Sequence, residues 1–235
     1  MQTNLIGVLG GMGPEATILL QQKLIAATPA EDDSDHIPLL IDMNPQVPSR
    51  IAHLIEETGE DPGPTLATMA QRLETAGAVA LAMPCNTAHF YAPAIVKAVK
   101  IPLLNMVDLA ADHALAKLAP QGAVGMLASP AVKKTHLFEN ALQARGLTTC
   151  WPDDDASMLT AIRAIKANGP CQIARDILSA ASAELLAKGA SLQFVACSEF
   201  SLIAESTAPD ANVVDTLDLL ARAIIDVASP APSAA

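Results

Sequence analysis

The sequence predicts an α/β fold made of two similar halves, and two observations support this prediction. Short apolar runs alternate with longer amphipathic segments along most of the 235 residues, which is typical of strand–helix units with a parallel sheet. In addition, a Gly-Ala pair opens the apolar runs at 77–78 and at 189–190, and each run ends at a cysteine, Cys85 or Cys197. Both features recur 112 positions apart, so the chain reads as two copies of one unit.

The first half is predicted to alternate between strands and helices from its start. Leu66, Met69 and Leu73 would form the apolar face of a helix over 65–76, and Gly77 would end this helix. The predicted strands are 5–9, 38–41, 78–82 and 101–104, and the predicted helices are 17–27, 65–76, 90–98 and 107–118.

The second half repeats this order. Val124–Leu127 aligns with Ile6–Leu9, and each run leads into a turn of small residues and a helix. Asp153–Asp155 reads as a solvated acidic turn before a helix over 157–166 rather than a metal site. The predicted strands 122–127, 189–197 and 213–215 and a final helix over 216–227 precede a tail, 229–235, that we expect to be disordered.

Composition excludes several classes of function. The net charge of −11 and an aromatic content of 3% disfavour binding to nucleic acid or to anionic membranes. The chain shows neither a secretory leader nor an apolar run of about 18 residues, so we expect a cytoplasmic protein. Its four cysteines form no C-x-x-C pair, so we expect neither a metal site nor disulfides.

Two features of the first half have more than one interpretation. Residues 11–16 fit a G-x-G-x-x-G/A dinucleotide fingerprint, with Asp42 as the ribose acid, but Asp42 follows Gly13 by 29 residues where about 20 is usual. The glycines could instead let the backbone approach a small anion at a helix start. Arg50, in a proline-rich loop, is either a solvated cation or the ligand of a carboxylate.

The cysteine pair carries the functional hypothesis. Cys85 alone could be a small buried hydrophobe or an activated thiol. However, ligands of open α/β sheets bind at the carboxyl ends of strands, where Cys85 and Cys197 both lie. If the halves face each other, one thiolate can remove a proton from carbon and the opposite thiol can return one. Asn86, Thr87 and Ser198 would then donate hydrogen bonds to an α-carboxylate.

Three motifs resemble the cofactor-independent aspartate/glutamate racemase family: LGGMGPEAT at 9–17, PCNTAH at 84–89 and ACSE at 196–199. The resemblance covers the chain to about residue 228. It implies two pseudo-symmetric α/β domains, each a mostly parallel sheet flanked by helices, with the active site in the cleft between them. It also implies a homodimer and a two-base proton transfer without cofactor or metal. We expect residues 1–100 with 210–228 to form one domain and 101–209 the other.

The resemblance also implies roles for individual residues. Cys85 and Cys197 match the catalytic pair, and Met12 matches a position that contacts substrate. Arg50 and Lys166 match an arginine and a lysine of the aspartate racemase branch, which would hold the side-chain carboxylate of aspartate. The predicted substrate is therefore aspartate, with glutamate as the second candidate.

One motif departs from the family pattern. Gly-Cys-Thr-Glu is usual, whereas this chain has Ala196, Cys197, Ser198 and Glu199. Serine keeps the hydroxyl that a carboxylate needs, but Ala196 replaces a permissive glycine beside the thiol, and this change bears on substrate preference.

Three other functions compete with racemisation. The glycine turn alone would suit a nicotinamide-dependent dehydrogenase. Cys85 with a histidine would suit a cysteine hydrolase or amidotransferase, and five histidines are present, His36, His53, His89, His113 and His136. A binding protein that senses an acidic amino acid is the third. Of these, only the racemase uses both in-phase cysteines.

Overall fold

The protein folds into two four-stranded parallel sheets flanked by helices, which confirms the predicted fold class. The computed structural model describes residues 4–229, so most of the tail predicted to be disordered lies outside it. The first sheet has the order β2-β1-β3-β4 and the second the order β6-β5-β7-β8. The strands are β1 Ile6–Gly10, β2 Leu39–Met43, β3 Ala80–Ala82, β4 Leu103–Leu104, β5 Ala123–Ala128, β6 Thr148–Cys150, β7 Leu192–Ala196 and β8 Val213–Asp215.

Helices connect the strands on both sides of the sheets. A proline in the first turn begins several of them, because its missing N–H is not needed there. The helices are α1 Pro14–Ala27, α2 Gly63–Thr75, α3 Ala92–Ala98, α4 Met106–Lys117, α5 Pro130–Lys134, α6 Leu137–Gln143, α7 Asp155–Asn168, α8 Gln172–Ala187, α9 Ser198–Ser201 and α10 Thr216–Ala228. The helix expected over 90–98 is shorter, because a tight 3₁₀ turn, Thr87–Tyr91, precedes α3.

The two halves repeat each other at the level of atomic contacts. A Cβ at Gly7 would lie 3.0 Å from Ala78 and 3.1 Å from Leu73. A Cβ at Gly125 would lie 3.1 Å from the corresponding residues, Ala190 and Leu185. Each glycine therefore lets its central strand pass close to the helix and strand that follow, and only a residue without a side chain fits there.

Strand register supports the same equivalence. In the first sheet Ile6 pairs with Ala80, and in the second Val124 pairs with Leu192. Ile6 aligns with Val124 in the opening strands, and Ala80 aligns with Leu192 in the strands that lead to the cysteines. The two sheets therefore pair equivalent residues. As a result, β3 and β7 occupy the same inner position of their sheets, and each leads to a cysteine.

Strand pairing crosses the expected domain boundaries at two strands. β4 pairs with β3 in the first sheet, although a boundary at residue 101 assigns it to the second domain. β8 pairs with β7 in the second sheet, although residues 210–228 were assigned to the first domain. Helix α10 does pack in the core of the first half, where Leu217 and Ile224 meet α1. The division of the chain into two domains stays a prediction.

Within residues 4–229, no helix is long and apolar enough to cross a bilayer. The same part of the chain contains no group of three or more histidine, cysteine, aspartate or glutamate side chains placed to hold a metal ion.

Candidate active site

A cavity of about 300 Å³ lies between the two halves, at the carboxyl ends of the inner strands. Both cysteines that the repeat places in phase open onto it. Six of the residues predicted to form the site line this cavity, namely Met12, Arg50, Cys85, Thr87, Lys166 and Cys197. The structure therefore brings one thiol from each half into the same small space, together with two cationic side chains.

Cys85 is held mainly through its backbone. Its carbonyl oxygen lies 2.9 Å from Nδ1 of His89, and Nε2 of that ring accepts a hydrogen bond from the backbone N–H of Met106 at 3.1 Å. Since Nε2 accepts, Nδ1 carries the proton and donates to Cys85. Burial lowers the pKa of His89, which favours this neutral form. In the part of the chain that the structure describes, the Cys85 sulfur has no hydrogen-bond partner of its own.

Cys197 has a different environment, because its sulfur donates a hydrogen bond to Oε2 of Glu199 at 3.1 Å. The thiol is buried and stands just before the short helix α9. Burial raises the pKa of Cys197 well above that of an ordinary thiol, and the adjacent Glu199 carboxylate raises it further. Cys197 is therefore held in its protonated form.

Glu199 also binds Lys166, with 2.5 Å between Oε1 and Nζ. Burial alone would raise the pKa of Glu199, but the Lys166 ammonium outweighs it and the net pKa is lowered. Burial likewise opposes the charge of Lys166, and the Glu199 carboxylate raises the pKa of this lysine overall. The two groups form an ion pair at the cavity wall, so the charge of Lys166 is already balanced before a ligand arrives.

Arg50 is the cation at the cavity without a carboxylate partner in residues 4–229. Its Nη1 donates to two backbone oxygens of its own loop, Pro48 at 2.9 Å and Val47 at 3.3 Å. These bonds fix the guanidinium but leave its charge uncompensated. A carboxylate in the cavity is the complementary ligand.

The loop that carries Arg50 is tied to the second half by two ion pairs. Glu56 binds Arg163 with 2.9 Å between charged atoms, and Glu57 binds Lys134 at 2.7 Å. Both pairs are exposed, so each adds little to stability. The neighbour of Arg50, Ile51, also packs against the core of the second half.

Two predicted ligands of the α-carboxylate are not brought into the cavity. The amide of Asn86 is buried, and its Nδ2 donates to the hydroxyl of Thr216 at 3.0 Å. Ser198 instead lines a neighbouring space of about 320 Å³, which shares Lys166 and Glu199 with the first. Asn86 and Thr87 stand at the start of the 3₁₀ turn, where successive side chains point about 120° apart, so the two residues face different directions.

Among the cavity residues for which the sequence predicts no role, Glu199 and Ser129 have polar side chains that contact predicted site residues. Glu199 belonged to the ACSE motif but had been given no role, and its contact with Lys166 depends on the fold. Ser129 lines the cavity at the start of α5, where its hydroxyl lies 3.1 Å from that of Thr87. A serine followed by a proline after a strand signals a helix start, and this signal could have located Ser129.

The dehydrogenase interpretation loses its two supports. Asp42, the candidate ribose ligand, is bound by Arg72, with 2.6 Å between Oδ2 and Nη2. The glycine turn has a packing cause, because Gly11 has φ +91° and a Cβ there would lie 2.4 Å from the backbone carbon of Asn44.

The hydrolase interpretation lacks a base for the thiol. Across residues 4–229 no histidine nitrogen forms a hydrogen bond with the sulfur of either Cys85 or Cys197. His89 contacts only the backbone of Cys85, and Nδ1 of His53 lies 2.7 Å from the Tyr91 hydroxyl.

Fold and site together define an α/β protein of two repeated halves, with a thiol from each half and two cationic side chains in one cavity. Comparisons with known proteins agree with this class. A sequence model described as Asp/Glu/hydantoin racemase matches residues 9–224. The chain therefore belongs to the Asp/Glu/hydantoin racemase family, and the resemblance read from the three motifs is confirmed.

Individual relatives point the same way. A broad-specificity amino-acid racemase of Bacillus subtilis is 32% identical over 108 residues, which are 44% of this chain and 46% of that protein, so the match spans a little under half of the relative. The structure of Picrophilus torridus aspartate racemase is 28% identical, with a TM-score of 0.85 over 96% of this chain and 94% of the other. A Francisella tularensis glutamate racemase, solved with D-glutamate, is 16% identical and shares the fold, with a TM-score of 0.67 over 97% and 81%.

Proposed function

We propose that this protein is an amino-acid racemase that interconverts L- and D-aspartate, with glutamate as the second candidate. The observation that carries the proposal is the pair of thiols at equivalent strand ends, Cys85 and Cys197, which line one cavity. Family membership and the likeness to an aspartate racemase at 28% identity support it.

In the proposed reaction a thiolate removes the Cα proton and the opposite thiol returns a proton to the other side. In the free enzyme Cys197 is the protonated cysteine of the pair, because its S–H donates a hydrogen bond to the Glu199 carboxylate. Cys85 is then the base that begins the reaction with one enantiomer. After one inversion Cys85 carries a proton and Cys197 has lost one, which is the state that the other enantiomer requires. The thiols serve as both acid and base, so we propose a reaction without pyridoxal phosphate or metal.

Arg50 is proposed to select the substrate. Its guanidinium lines the cavity and lacks a carboxylate partner within the described residues, so it suits the side-chain carboxylate of aspartate. Lys166 was expected to share this role, but its ion pair with Glu199 gives it a second task. We propose that Lys166 balances the charge of Glu199 in the free enzyme. When substrate binds, Lys166 keeps this ion pair and makes only a secondary contact with the substrate carboxylate.

Two further properties complete the proposal. Catalytic thiols must stay reduced, so a cytoplasmic location suits the enzyme. We also propose that it acts as a homodimer. Cell fractionation tests the first property, and light scattering at working concentration tests the second.

The proposal is tested by incubating the protein with L-aspartate in deuterated water, without added cofactor. We expect D-aspartate to form with deuterium at Cα, and the reverse from D-aspartate. Chiral separation followed by mass spectrometry measures both. Absence of exchange and inversion with aspartate, glutamate and alanine alike would contradict racemisation, and retained binding of aspartate without turnover would favour a sensor protein.

A further inference from the structure

A single buried hydroxyl joins the two segments that carry the cysteines. Thr216 begins α10 and is fully buried. Its Oγ1 accepts a hydrogen bond from Nδ2 of Asn86 at 3.0 Å and lies 3.1 Å from the backbone oxygen of Val195. Asn86 directly follows Cys85, and Val195 lies two positions before Cys197. One side chain therefore connects the end of β3 with the end of β7.

The proton of this hydroxyl can serve only one acceptor. Two acceptors lie within reach of it, the backbone oxygen of Val195 at 3.1 Å and Oδ1 of Asn86 at 3.2 Å. Because Nδ2 of Asn86 already donates to the hydroxyl, donation to the nearer Val195 oxygen completes a chain that runs from Asn86 through Thr216 to Val195. All three residues are buried, so water does not compete for these hydrogen bonds. The link is consequently a fixed contact and not a loose surface bond.

Each half also fastens its own cysteine, by a residue four positions further on. Nδ1 of His89 lies 2.9 Å from the backbone oxygen of Cys85, and the backbone N–H of Ser201 donates to that of Cys197 at 3.1 Å. These contacts hold each cysteine within its own half. They do not set the position of one thiol against the other.

The link made by Thr216 has no counterpart in the repeat. Asn105 caps α4 and Asp215 caps α10 in the same way, by accepting from the N–H two residues on. The residues that follow are Met106 and Thr216, and only the second has a hydroxyl. Within residues 4–229, this threonine link between the cysteine segments therefore has no second copy at the equivalent position of the repeat.

We infer that Thr216 is a positioning residue that sets the distance and angle between the two thiols. The inference rests on the proposed racemase function. Removal of the Cα proton needs one thiolate, and the same thiol can return a deuteron to the same side. Inversion needs the second thiol in line on the opposite side, and a displacement of about 1 Å can cost such a step roughly a hundredfold. Loss of the link should therefore harm inversion more than exchange.

The test is Thr216→Val, which keeps the shape of the side chain and removes the hydroxyl. One pure enantiomer is incubated in deuterated water, and two products are measured by chiral mass spectrometry: deuterium in the unreacted enantiomer and formation of the opposite one. We expect inversion to fall by roughly ten- to a hundredfold, while exchange without inversion falls less. The ratio of exchange to inversion should thus rise. Thr216→Ser, which keeps the hydroxyl, should restore the wild-type ratio.

Ser182→Ala is the matched control, because Ser182 is a buried hydroxyl with two hydrogen bonds inside the second half alone. It should lower the melting temperature and leave the ratio unchanged. If Thr216→Val does not fold, Asn86→Ala breaks the same link from the first half and should raise the ratio as well. A wild-type ratio in the folded Thr216→Val or Asn86→Ala variant overturns the inference. Failure of the wild type to exchange or invert overturns the racemase proposal instead.

Discussion

Replacing Glu199 by glutamine tests whether this carboxylate keeps Cys197 protonated. Glu199 lies 3.1 Å from the Cys197 sulfur and 2.5 Å from the Lys166 ammonium. Two unit charges about 4 Å apart interact by about 4 kcal/mol at an effective dielectric constant of about 20. Glutamine removes the repulsion between carboxylate and thiolate and leaves Lys166 to attract the thiolate. We therefore expect the pKa of Cys197 to fall in Glu199→Gln.

Alkylation by iodoacetamide measures this change directly, because the thiolate is the reactive form. The peptide that contains Cys197 is quantified by mass spectrometry after labelling over a range of pH. If only a quarter of the interaction is realised, about 1 kcal/mol, labelling of Cys197 near neutral pH rises roughly fivefold. Labelling of Cys150 in the same digest is the internal reference.

Glu205→Gln is the control variant, since Glu205 is ion-paired with Arg175 but does not line the cavity. Its Cys197 labelling should match the wild type.

Activity gives a second measurement of Glu199→Gln. Because the pKa of Cys197 falls, the alkaline limb of the pH–activity profile should shift to lower pH. Because the two enantiomers have equal free energy, kcat/KM must fall equally in both directions. Unchanged or slower labelling of Cys197 in a folded Glu199→Gln variant would refute the role given to the carboxylate.

Two further predictions concern substrate binding and stability. Arg50→Gln should raise KM for aspartate in steady-state assays by about 10- to 150-fold, because hydrogen bonds to charged groups are worth about 1.5–3 kcal/mol. Arg72 lies outside the cavity, so Arg72→Gln should leave KM unchanged. Because the raised pKa of Cys197 favours its protonated form in the folded chain, stability should decline as pH rises above about 8.5. In Cys197→Ser the melting temperature should fall less above this pH than it does in the wild type. An equal fall in both proteins would contradict the raised pKa of Cys197.

Local sequence signals were enough to predict the repeat and the thiol pair. Gly77 and Gly189 both adopt positive φ, +98° and +83°, so each Gly-Ala pair marks a backbone turn before the cysteine strand. Such turns depend on a single residue type and can be recognised without the fold. The phase between Cys85 and Cys197 then follows from counting positions.

Contacts that depend on the tertiary structure were not predictable in this way. The partner of Lys166 is Glu199, 33 positions away, and nothing in either segment signals the pair. The burial of Asn86 follows from Thr216, which arrives from the other end of the chain. The pairing of β4 and β8 was not predictable for a different reason: β4 has two residues and β8 has three, so their partners show only in three dimensions.

The most direct test of the central claim uses variants with one of the two thiols removed. Cys85→Ala and Cys197→Ala are each incubated with pure L- and pure D-aspartate in deuterated water. We expect neither variant to convert one enantiomer into the other. Each variant should still exchange the Cα proton of one enantiomer, and the enantiomer should differ between the two variants. Inversion that persists in either variant at a rate near that of the wild type would contradict a reaction carried by two opposed cysteines.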